Sequence, residues 1–199
     1  EAVAEESEAV AEESEASVEG ELTSVGRSGF VTYDSLGETR ASVGVEVTNN
    51  SDEDLFFTEV TFNVLDSGGA PVATESSYLD VIPAGETVIA GGRVSTDLTG
   101  SLPVTVEITV FAEEDSFFET EWAYMEIGPE VEISTDGFRP SVTGTLTNPT
   151  DQPVDLFPIE CLLVDADDNV ITEVSGYGDR TAPGQTIAWE LSGSQIEAA

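Results

Sequence analysis

The chain contains no histidine, no lysine and one cysteine, and its five basic residues are all arginine. Each absence removes a chemistry. Without imidazole there is no general base for a Ser or Cys nucleophile and no imidazole ligand, which excludes hydrolytic triads and most zinc or copper sites. The lone Cys161 cannot close an intrachain disulfide. Five Arg set against 41 acidic residues make a surface that repels polyanions, so nucleic acid and anionic membranes are excluded as direct partners. No apolar run approaches the roughly 18 residues of a spanning helix, so no transmembrane segment is expected.

What is abundant is acid. The formal net charge is -36 over 199 residues. Setting aside the nine Glu of residues 1–21 still leaves 32 acidic residues against five Arg, so the charge is spread along the chain. A patch that recruits cations or a basic partner would be local. Spread acidity instead suits a salt-rich milieu, where the Debye length shrinks from about 10 Å at 0.1 M to about 3 Å at 1 M and self-repulsion is screened.

Residues 1–16 write one seven-residue unit twice, EAVAEES-EAVAEES-EA. One branched apolar residue per heptad is too few for a coiled coil, and like charges at i,i+4 oppose helix, so residues 1–21 read as a solvated, low-complexity acidic tether. The chain opens at Glu1 without an initiator Met. A cleaved leader, or a lipid anchor upstream of Glu1, is therefore expected, and with it an extracellular or cell-surface location.

Beyond Gly20 the pattern changes to strict alternation. Val43, Val45 and Val47 point one way while Gly44, Glu46 and Thr48 point the other, and the same period recurs at Val60, Phe62 and Val64 and from Val104 to Val110. Turn clusters such as Asn49-Asn50-Ser51-Asp52 and Ser67-Gly68-Gly69 separate these runs. Short alternating strands at such spacing predict an all-β sandwich.

The strongest internal signal is self-similarity. ASVGVEVTNNSDEDLFFTEVTFNVLDSG from Ala41 realigns with PSVTGTLTNPTDQPVDLFPIECLLVDAD from Pro140 at a constant offset of 99. Thr48-Asn49 then matches Thr147-Asn148, Asp66 matches Asp165, and Gly85-x-Thr87 matches Gly184-x-Thr186. Two tandem β-sandwich modules are expected, at 22–127 and 128–199. The first copy runs on through a hairpin, VTVEITVFA-EEDS-FFETEWAYMEIG, and the second ends soon after AWEL. Module two is thus a five-stranded form, a form cut before its natural end, or one with an edge that another chain completes.

Within that register Phe62-Asn63-Val64-Leu65-Asp66 and Cys161-Leu162-Leu163-Val164-Asp165 resemble the motif of the FxLYD-domain family in degenerate form. The surrounding order is also similar: a strand ending in T-N, an Asn/Ser/Asp turn, a D-x-G-like hairpin, then the turns Pro83-Ala84-Gly85 and Pro183-Gly184. Neither copy has the Tyr, and Cys161 stands in place of the Phe. The resemblance implies small immunoglobulin-like β-sandwiches on secreted proteins and lipoproteins, and it brings no catalytic residues.

Candidate sites are few. Asp165, Asp167, Asp168 and Asn169 place oxygen ligands closely enough at a hairpin to suit Ca²⁺. They miss the EF-hand pattern, with Val170 at the sharp-turn position and Gly176 where the bidentate Glu would fall, and Asp and Asn favour turns regardless of metal. No other cofactor is expected. Phe117, Phe118, Trp122 and Tyr124 concentrate aromatic surface beside Glu113, Glu114 and Asp115, a combination that could hold a sugar or a cationic peptide or could complete a core. Cys161 alternates with Ile159 and Leu163, as a buried thiol acting as a small hydrophobe would. Asn49-Asn50-Ser51 matches a glycosylation acceptor and equally an Asn-rich turn. Gly26-Arg27-Ser28-Gly29-Phe30 ends in Phe where a G-x-S-x-G elbow needs Gly. The expected function is therefore non-catalytic. It is a structural or interaction protein that meets an extracellular protein or cell-envelope component, with a ligand-binding module for carbohydrate, peptide or Ca²⁺ as the alternative.

Overall fold

A computed structural model describes residues 22–94, 98, 105–112, 122–135 and 140–198; the tether, Phe117 and Phe118 lie outside them. The protein is almost entirely antiparallel β-sheet, as the alternation requires. Strands β1 (Thr23–Ser35), β2 (Glu38–Asn49), β3 (Leu55–Leu65), β4 (Pro71–Ile82), β5 (Thr87–Val94) and β6 (Thr105–Phe111) form two sheets, ordered β1-β2-β5 and β4-β3-β6. In the second half β7 (Glu126–Ile127) and β8 (Glu132–Ser134) both pair with β9 (Ser141–Thr147), whose other edge carries β12 (Thr186–Ser192). β10 (Phe157–Val164) and β11 (Val170–Gly178) make a two-stranded sheet, and a short helix α1 (Ser194–Ala198) follows.

The first pair of sheets closes on Val43, Val45, Val47, Val60, Phe62 and Ile82, all essentially inaccessible to solvent. At roughly 1.5–3 kcal/mol per fully buried side chain of this size, these residues supply most of the driving force for the half. Phe62 fits because a Cβ at Gly92, across the layer, would stand 2.5 Å from its ring. The second core gathers Val142, Leu146, Ile159, Leu163, Val174, Trp189, Leu191 and Ile196.

The offset of 99 is written into the bonds. Asn49 donates through Nδ2 to Glu53 O (2.7 Å) and Ile82 O (2.9 Å) and accepts from the Ser51 amide and hydroxyl. Asn148 donates to Gln152 O (2.8 Å) and Thr181 O (3.1 Å) and accepts from the Thr150 amide and hydroxyl. Even the left-handed backbone positions recur: Phe57 and Leu156 at φ 53° and 44°, Gly85 and Gly184 at 71° and 67°.

The sheets stack in four layers, in the order β4-β3-β6, β1-β2-β5, β10-β11, and finally β9 with its neighbours. The inner contact arises because β2 is buried on both faces from Ala41 to Val45. Ala41, Val43 and Val45 face the first core, while Ser42 and Gly44 lie under β11, where the Ser42 hydroxyl donates to Glu173 O at 3.3 Å.

Three details differ from the sequence reading. β7, placed at the end of the first module by a boundary after residue 127, pairs with β9 in the second half. β6 pairs with β3, and on the far side of the expected hairpin the described residues Trp122–Met125 form no strand. Asn49 takes the turn role in the fold, its amide fully buried with both N–H donors engaged. β10 pairs only with β11 among the described residues, whereas its counterpart β3 carries β4 and β6.

Candidate functional site

At one end of the first sandwich Asp54, in the turn between β2 and β3, receives two donors. The Ala84 amide reaches Oδ1 at 3.0 Å and the Trp122 indole Nε1 reaches Oδ2 at 2.7 Å. Trp122 is thereby fixed beside Tyr124, with ring centroids 5.2 Å apart and planes tilted by 59°. Both rings stay accessible, at 39% and 53% exposure. Partial burial first, then the charges of Glu86 and Asp54, raises the Tyr124 hydroxyl above the usual tyrosine range. Met125, the next residue, packs on the second core. The segment therefore presents an ordered, exposed aromatic pair with carboxylates behind it, a surface suited to a cation or to the flat face of a polar ligand.

The Asp165 cluster is occupied by its own turn. Asp165 Oδ1 accepts the Asp167 and Asn169 amides, each at 2.9 Å, and Oδ2 accepts Asn169 Nδ2 at 2.9 Å, bonds that hold its carboxyl below the usual range. Asp66 does the same in the first half, accepting Gly68 N at 2.8 Å and Ala70 N at 2.9 Å. Asp168 takes the place of Gly69, at φ 65° against 77°, and its carboxylate turns away to Arg27, 2.7 Å distant. Of the three acids in the candidate calcium cluster, Asp165 is thus engaged by its own turn and Asp168 by Arg27. Among the described residues no three His, Cys, Asp or Glu side chains converge to hold a metal.

Arg27 links the halves. It bonds Glu46 on its own sheet, lowering that carboxyl, and also reaches Asp168 O at 3.2 Å. Arg93 reaches Ser175 O at 3.5 Å. Between these ties lies a chemistry the sequence reading missed: Glu173 is 1% exposed and Glu160 is half-buried, both on the β10-β11 face that meets β1-β2-β5. Burial, then the charges of Glu173 and Asp80, pushes Glu160 up to about 8, and burial raises Glu173 as well. Cys161, on the opposite face, is a free thiol pushed up to about 11 chiefly by burial, an unreactive packing residue. The signal available in sequence was glycine inside strands, at Gly29, Gly44 and Gly91, which marks close approach of another backbone.

Fold and surface together define a class: an all-β protein of stacked antiparallel sheets with an aromatic and acidic loop end. No family model matches the chain, and no curated protein matches it. No helix among the described residues is long and apolar enough to cross a membrane.

Proposed function

We propose that the chain is a non-catalytic structural or interaction protein of the cell surface, in which an acidic tether carries two tandem β-sandwich modules in a salt-rich extracytoplasmic setting. The observation that carries the reading is the Trp122–Tyr124 pair, pinned by Asp54 and yet exposed. Aromatic side chains that are held in place and yet only partly buried keep apolar surface free for a partner outside. The repeated Asn49 and Asn148 hubs support a scaffold built twice, and the FxLYD-like segments support the surface location. The second reading, a ligand-binding module, uses the same pair. Carboxylates at Asp54 and Glu86 behind two π-faces favour a cationic segment over a neutral sugar.

Titration of the full chain with an oligo-arginine peptide, a neutral oligosaccharide and CaCl₂, read by tryptophan fluorescence, tests both. Saturable quenching by the peptide that persists in about 1 M NaCl, where the Debye length is about 3 Å, and is lost in Trp122→Ala supports recognition at this corner. Quenching that survives Trp122→Ala, or no saturation by any probe, leaves the chain a spacer.

A further inference from the structure

β11 lies across three glycines that share one row of the neighbouring sheet, Gly29 opposite Gly44 and Gly44 opposite Gly91. A side chain at any of them collides with the second half. A Cβ at Gly44 would stand 2.8 Å from Glu173 N and from Thr172 C, one at Gly29 would strike the Val170 carbonyl, and one at Gly91 would strike the Glu173 carboxyl group itself. Into this bare row the junction receives Glu173, sealed from solvent. The Ser175 side chain bonds its carboxyl group, but no donor reaches Oε1. An ionised carboxylate in that position loses its water and gains no matching partner.

The surrounding charges do not supply one. Glu160 on β10 shares the face, opposite Ser175, and Asp80 on β4 adds a further negative charge. Arg93 on β5 is the cation near Glu173; its attraction offsets only part of the burial, and its hydrogen bond goes to Ser175 O. Arg27 and Asp168 lie at the hairpin end, where Arg27 is shared with Glu46. Ser42 on β2 spends its hydroxyl on Glu173 O. In the first half the corresponding face of β3-β4 carries Thr61, Asn63, Thr74 and Ser76, which hydrogen-bond one another in solvent.

We propose that the junction between β10-β11 and β1-β2-β5 is a proton-dependent clasp, closed while Glu173, set against the glycine row, and Glu160, on the same face, carry protons and opened when both ionise. The direction of both shifts agrees with this. A carboxyl raised above its ordinary value of 4.5 favours the closed state fully below that value, and the contribution is lost as pH rises through the raised value, about 8 for Glu160. The device holds whichever partner the loop end meets.

The test uses the full chain in about 1 M NaCl, so that general repulsion is screened. Amide resonances of Gly29, Gly44 and Gly91 and the radius of gyration are followed from about pH 4 to about pH 9, a window that spans the ordinary and raised carboxyl values. Gly29→Val, which cannot close, gives the open reference, with Gly44→Ser in its place if that variant does not fold. The wild type is expected to move onto the open reference and expand with a midpoint between the ordinary carboxyl value of 4.5 and the raised value of about 8, while Glu160→Gln/Glu173→Gln stays closed throughout. A wild type that does not change with pH, or a double variant that opens at the same midpoint, overturns the proposal.

Discussion

Asn49 and Asn148 are fully buried amides, and each uses one side chain to satisfy two carbonyls and two donors at the end of a strand. Neither Asp nor Gln reproduces that set, since Asp offers no donor and Gln reaches too far. Truncation to Ala removes the side-chain donor from one buried carbonyl, Ile82 O or Thr181 O, and frees the turn. Asn49→Ala and Asn148→Ala are each expected to cost about 3 kcal/mol, and similarly, by urea unfolding. A difference of several-fold between them would show that the two hubs are not equivalent. The T-N pairs that carry these hubs were legible in the sequence because a turn needs its polar residue at a fixed place. The positive φ of Phe57 and Leu156 was not legible, because bulky apolar residues give no local sign of a left-handed backbone.

Among the strands, the two halves share pairing while exchanging volume. Val45 opposite Ala90 becomes Gly144 opposite Trp189, and the indole lies 2.6 Å from where a Gly144 Cβ would be. Likewise Phe62 over Gly92 becomes Cys161 with Leu191 at the glycine's place, both packed in the second core. That exchange accounts for the cysteine in the second FxLYD-like segment. Cys161→Phe alone should overpack the core and cost about 1–3 kcal/mol, and adding Leu191→Gly should recover part of that loss. Thermal melts of the two single variants and the double variant measure the coupling, and additive losses would refute it. Inward faces were readable from period-two alternation. The outer face of β10-β11 was not, because Glu160 and Glu173 obey the polar-out rule that a solvent-facing strand also obeys. Only glycines in the opposing sheet, far away in sequence, reveal that this polar face is covered.

Over the whole molecule, positive charge is spent on structure. Of the four described arginines, Arg27 and Arg93 tie the two halves together, Arg40 pairs with Glu38 at 2.7 Å, and Arg180 pairs with Asp155 at 3.3 Å. Exposed pairs of this kind contribute roughly 0–1 kcal/mol each, too little to offset self-repulsion across a net charge of -36. The folded state brings those carboxylates closer than the unfolded chain does, so screening favours it. Melting temperature is expected to rise from about 0.1 M to about 1 M salt as the Debye length falls from about 10 Å to about 3 Å, and to rise alike in NaCl and KCl. CaCl₂ at matched ionic strength should add nothing specific, and Asp167→Ala should leave the response unchanged, because Asp165 is bound to its own turn and Asp168 to Arg27. A melting temperature indifferent to monovalent salt would remove the salt-rich setting as the reason for the acidity. A low-concentration calcium effect lost in Asp167→Ala would instead show that the Asp165 turn can reopen to take the ion.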